Sequence, residues 1–166
     1  MHYCIDAAGS IHTAGSETDG DLDIAAALVF AYKKWGLYEN SAREIINSIL
    51  AHDVEDITNV LRPGDVFGGI DSVNPSYFAI SYMKIFADFT GITRWIDVRE
   101  KTYNILLKAA HPQTGLVPDW GCVEGIPGGG PPGIYYSEDY YYDASRTPRR
   151  IALDYLWYGD ARAKDF

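Results

Sequence analysis

Helical periodicity, stopped at intervals by glycine, constrains this chain more than any other feature. The run DLDIAAALVFAYKKW places Ile24, Leu28, Ala31 and Trp35 at helical spacing. Asp21 and Asp23 suit its positive N-terminal end, and Gly36 stops it. A second helix is predicted over 41–52, with Ser41 and Glu44 as a capping box. A third begins at Pro75 and ends at Gly91. A fourth covers about 93–110 and carries Trp95, Val98, Tyr103, Leu106 and Leu107. A fifth covers about 145–158, starts near Pro148 and carries Ile151, Leu153, Tyr155 and Leu156. Short turns (GLYEN, TGIT) join these helices in pairs, while the links between pairs are longer and richer in Gly and Pro. Such alternation predicts an all-α toroid or solenoid of stacked hairpins. Two and a half hairpins are an awkward number to close a ring.

The stretch from His111 to Asp143 lacks helical periodicity and contains PGGGPPG, several tyrosines and Trp120. Loops of that length in a compact domain are functional or disordered, and its aromatic content favours function. With 166 residues and 47% apolar side chains, the chain suffices for one domain with a real core. Its formal net charge of −9, without a basic stripe, excludes a nucleic-acid partner. No apolar run is long enough to span a membrane, and no signal peptide is recognisable at the N-terminus. Thirteen Tyr and four Trp offer flat apolar bodies with polar edges, which match the C–H faces and hydroxyl rims of sugars; about half of them are needed simply for packing. Cys4 and Cys122 can pair in an oxidising compartment, but nothing in their spacing requires it. His12, His52 and His111 are scattered, so no metal site is expected, and no cofactor is implied.

Asp19, Asp21 and Asp23 alternate as in a calcium loop. An EF-hand needs Gly after the third acid and a carboxylate at position twelve, where this chain has Ile24 and Phe30. A phosphotransfer DxD motif wants an apolar strand before it, and the preceding residues are polar. Helix capping by Asp19 or Asp21 remains the local alternative.

The segment from Glu17 through Asp19-Gly20-Asp21 and Ala25 to Trp35 resembles the signature of glycoside hydrolase family 8, with Glu17 where that family usually has Ala. Asn74-Pro75-Ser76-Tyr77-Phe78, Gly115-Leu116-Val117-Pro118-Asp119-Trp120, and Tyr142 to Arg150 resemble three further blocks of the family in the same order. Arg149 stands where the last block usually has Trp. The resemblance runs over essentially the whole chain and implies a single partial catalytic domain over 1–166, an incomplete (α/α)6 barrel with long loops. It implies an inverting hydrolase of β-1,4-linked polysaccharide such as cellulose, secreted or periplasmic, with xylan, chitosan and mixed-linkage glucan also open.

The resemblance maps the general base onto Asp143 and a sugar-holding carboxylate onto Asp19. Arg146, one turn from Asp143, is placed to favour its ionised form, and Tyr77 to hydrogen-bond the base or its water. Trp120, Tyr140, Tyr141, Tyr142 and Asp21 are the expected substrate-binding residues. For Asp143 the alternative is a cap on the fifth helix; for the aromatics it is packing beneath the long loop. The family's general acid is a Glu in an upstream Ser-Glu-Gly motif that this sequence lacks. The chain is therefore expected to be truncated at both ends and to oligomerise, burying incomplete barrel faces. Glu17 is a poor substitute for the acid, since it lies two residues from Asp19 and the acid must face the base across a sugar ring.

Overall fold

The computed structural model describes residues 4–131 and 137–166; residues 132–136 of the long loop, within PGGGPPG and the tyrosines after it, lie outside the described residues. Six α-helices dominate the described residues: α1 (Thr18–Trp35), α2 (Glu39–His52), α3 (Ile80–Thr90), α4 (Arg94–Ala109), α5 (Thr147–Tyr158) and α6 (Ala161–Asp165). An antiparallel ribbon of two short strands, β1 (Cys4–Ile5) and β2 (Ile11–Thr13), precedes them and was not anticipated. It is exposed throughout, so no burial pattern marks it in the sequence. α1 packs on α2 and α3 on α4, and α5 lies against α3. The expected hairpins are therefore present. No helix among the described residues is long and apolar enough to cross a membrane. Cys4 and Cys122 are both free thiols.

Helix boundaries follow backbone chemistry. Gly36, Gly91 and Gly159 end α1, α3 and α5 with left-handed φ near 70–80°, a conformation glycine adopts without steric penalty. α1 starts three residues earlier than expected, which draws Asp19 and Asp21 into its first turn, beside the positive helix end. α2 starts at Glu39 after Tyr38, whose φ is 71°, so Ser41 lies inside the helix and forms no capping box. Pro75 opens a single 3-10 turn (Pro75–Tyr77), and α3 begins only at Ile80. Likewise a 3-10 turn (Ala144–Arg146) precedes α5.

The buried stripes differ from the predicted ones where residue size misleads. α1 buries Leu22, Ala25, Ala26 and Val29, while Ile24 and Trp35 are exposed. The small alanines permit close approach to α2, which meets them with Ala42, Ile46 and Ile49. α4 buries Trp95, Val98, Tyr103 and Leu106 as expected, but Leu107 is exposed. α5 departs furthest. It buries Thr147, Arg150, Ile151 and Asp154 and turns Tyr155, Leu156 and Trp157 outward.

Those buried charges are paired, the condition on which charges enter an interior. Arg150 donates to Asp23 of α1 from both terminal guanidinium nitrogens. Asp154 accepts from Arg99 at 2.6 Å and from Tyr103, joining α5 to α4. Arg99 also reaches Asp160, which Arg162 holds together with Glu100. The apolar core lies between the two hairpins, with Phe86 edge-on to Trp95 at 5.1 Å.

Candidate active site

Four segments far apart in sequence meet at one end of the helices: the start of α1, the 3-10 turn at Pro75–Tyr77, the Asp119–Trp120 corner and the turn before α5. The first is set by Thr18 N–H donating to Pro63 O at 2.9 Å. Gly64 makes that approach possible, because a Cβ there would fall 2.4 Å from Ser16 O. The second is set by Asn74, whose Oδ1 accepts from the backbone N–H and the hydroxyl of Ser76. The fourth is set by Asp119. Its buried carboxylate accepts the backbone N–H groups of Tyr141, Asp143 and Ala144 and so fixes the turn that carries Asp143.

Arg146 ties the segments together. It donates to Asp143 Oδ1 at 2.7 Å, to Asp19 Oδ2 at 3.3 Å and to Ser76 Oγ at 2.9 Å, and its guanidinium lies 5.5 Å from the Tyr77 ring centre. The other oxygen of Asp143 accepts from Asn74 Nδ2 at 2.7 Å. Both oxygens of Asp143 are thus oriented, and each retains accepting capacity, since a carboxylate offers about four lone-pair sites. Glu17, Asp19, Tyr77, Trp120, Asp143 and Arg146, with Phe67 and Pro131, line a cavity of about 490 Å³.

The expected residues divide into two groups. Asp143, Asp19, Arg146, Tyr77 and Trp120 are brought together. Tyr77 donates its hydroxyl to Glu17 Oε2 at 2.8 Å, not to Asp143, and burial together with that bond pushes its pKa well above the usual phenol range. Trp120 is 2% exposed, meets Tyr77 edge-on at 6.3 Å, and its Nε1–H has no partner among the described residues. Asp21 instead borders a separate cavity of about 200 Å³ with Asp53 and Asp65. Being two residues from Asp19, it points away from it around the helix. Tyr140 lines another cavity beside His111, and Tyr141 and Tyr142 are exposed. Arg149 is exposed too. No cluster among the described residues has the makings of a metal site.

Three orienting residues were missed: Asn74, Ser76 and Asp119. Each sits inside a quoted sequence block, but its role depends on contacts across 22 to 70 residues of chain. The departure at Glu17 was legible. Its carboxyl is raised above the ordinary range, chiefly by burial; nearby Asp19 and Asp143 add to this, and the Tyr77 hydrogen bond and Arg146 oppose it.

The chain matches the description "Glycosyl hydrolases family 8" over residues 2–165. It is 49% identical to Endoglucanase 2 of Ruminiclostridium josui, over 99% of this chain and 36% of the relative. It is 46% identical to Endoglucanase C of Ruminiclostridium cellulolyticum over the same shares. Among solved structures it superposes on the apo β-1,3-1,4-glucanase of Paenibacillus sp. X4 with a TM-score of 0.85 at 35% identity, over 93% of this chain and 45% of that one. The chain thus spans 36% of the length of these two curated relatives. It holds a large part, but not the whole, of the family's (α/α)6 barrel. This chain belongs to glycosyl hydrolase family 8.

Proposed function

We propose that this chain carries the base side of an inverting glycoside hydrolase that cleaves β-1,4-linked glucan. One observation carries the reading: Arg146 bridges the carboxylates of Asp143 and Asp19 on the wall of an open cavity that the largely buried Tyr77 and Trp120 also line. An inverting hydrolase needs a carboxylate to take a proton from water on one face of the sugar, while a protonated carboxyl serves the leaving oxygen about 6.5–9.5 Å away. Asp143 is the base. Arg146 and Asn74 fix its carboxylate, so the lone pair that receives the proton is aimed before substrate arrives. Asp19 accepts sugar hydroxyls, Arg146 holds it in register with the base, and Trp120 and Tyr77 form the apolar wall. Tyr140, Tyr141 and Tyr142 are assigned to outer contacts, since none lines this cavity, and Asp21, buried beside Asp53 and Asp65, is given no sugar contact. Polymeric glucan is too large to enter a cell, so the reading carries a secreted or periplasmic location with it.

Reducing-sugar release from carboxymethylcellulose tests this directly. Turnover by the chain is expected to fall about 10²–10⁴-fold in Asp143→Ala. Turnover that survives the substitution overturns the role of Asp143. A second reading rests on the 36% span: a catalytically incomplete piece that binds β-glucan or assembles with itself or a complementary fragment. Calorimetric binding of cellotetraose without turnover selects it. Self-association is proposed in either case. Trp157 and Phe30 meet edge-on at 5.9 Å on the outer side of α1 and α5, each more than 40% exposed, with Leu156 72% exposed on α5. A second copy would cover such a patch.

A further inference from the structure

Glu17 is a third carboxyl in a cleft whose chemistry is assigned to two. It sits at the residue before α1, yet its side chain makes no capping hydrogen bond. The carboxyl turns into the cavity, where Tyr77 donates to Oε2 at 2.8 Å. A capping role is therefore excluded, and no cation reaches it as an ion pair among the described residues, since Arg146 is committed to Asp143, Asp19 and Ser76. No protein donor among the described residues reaches its Oε1, while the Tyr77 bond limits how the carboxyl can turn. An oriented acceptor on a sugar-sized cavity, next to an aromatic wall, is an arrangement that reads one hydroxyl of a ring.

We propose that Glu17 is a specificity-determining residue of this cleft, its Oε1 accepting a sugar hydroxyl in the ionised form while Tyr77 holds Oε2. The inference rests on the cleft being the glucan site. Charge-assisted hydrogen bonds are about twice as strong as neutral ones, so the ionised carboxylate binds the hydroxyl more tightly than the acid does. The groups that face it are Asp19 on α1, Tyr77 on the first 3-10 turn, Asp143 just before the second and Arg146 on it. Burial and the two aspartates keep its proton on above the usual range. Affinity for a neutral β-1,4-glucan therefore rises with pH as Glu17 ionises, and the sugar in turn draws its pKa down.

Calorimetry with cellotetraose from pH 4 to 7.5 tests this on the 166-residue chain, its Glu17→Gln and its Glu17→Ala variants. The wild type should gain about fivefold in affinity across the window, and Glu17→Gln should lose that rise while keeping the fold by circular dichroism. At pH 7, Glu17→Ala should bind about fivefold more weakly than wild type. A carbon-13 titration of the Glu17 carboxyl should show a lower pKa with cellotetraose than without, which a purely structural residue would not. The inference is overturned if Glu17→Ala binds like wild type at pH 7, if Glu17→Gln keeps the rise, or if sugar leaves the carboxyl pKa unmoved. Loss of binding in Asp143→Ala with retention in Glu17→Ala sinks this inference alone. No binding by the wild type at any pH sinks the glucan site and this inference with it.

Discussion

Asp119 shows how one buried side chain can govern a site without touching its cavity. Three backbone N–H groups converge on its two oxygens, and one belongs to Asp143. In Asp119→Asn the amide places an NH₂ against at least one of those donors. Leaving a buried donor unmatched costs about 1–3 kcal/mol, so the urea midpoint should drop. The Asp143 turn should also loosen, and cellotetraose affinity should fall several-fold. Unchanged affinity in a folded variant would remove Asp119 from the account. The sequence blocks made Asp143, Asp19 and Arg146 legible, because each sits in a run long enough to be specific. They did not make Asn74 legible as the second partner of Asp143, because 69 residues separate the two and only the fold closes that gap.

At the scale of elements, the helices were readable and their faces less so. Glycine stops and apolar spacing located five of the six helices, and α6, only five residues long, gave no periodic signal. Faces were misassigned on α1 and α5, where large apolar residues were equated with burial. On α5 the buried stripe holds Arg150 and Asp154, each acceptable inside only because a partner waits on another helix. This predicts a large effect for a polar residue. Asp154→Ala strips Arg99 and Tyr103 of a shared acceptor and should destabilise the chain by about 3 kcal/mol in urea unfolding. A loss below about 0.5 kcal/mol would mean the network holds little, as exposed pairs do. A backbone element has its own test. Gly64→Ala drives a methyl group against Ser16 O and the Phe67 ring, so the segment before α1 must shift. Cellotetraose affinity should fall even if the helices stay intact by circular dichroism.

For the whole molecule, one charge cluster and one proposal reach beyond any single element. A second cavity gathers Asp21, Asp53 and Asp65, and burial, then the two neighbouring aspartates, push Asp53 up to about 7. Folded Asp53 therefore keeps a proton that the unfolded chain releases near its ordinary value of 3.8. Its contribution to stability is present below pH 3.8 and is lost progressively up to about pH 7. Asp53→Asn should thus gain on the wild type in urea midpoint between pH 4 and 7, with a constant gap above. A gap that does not change with pH would contradict the shift. The second is the proposed self-association: light scattering should find the chain larger than a monomer, and Trp157→Glu should reduce that size. A monodisperse wild-type monomer would contradict it.

The Asp143–Arg146–Asp19 cleft is proposed as the glucan site, and every role assigned above depends on it. Chemical-shift mapping of the isotope-labelled chain during titration with cellotetraose tests it most directly, because it locates binding whether or not the chain turns over. Shifts are expected to concentrate at 17–19, 74–77, 119–120 and 143–146. Shifts concentrated instead around His111 and Thr114, or none at saturating sugar, would contradict it.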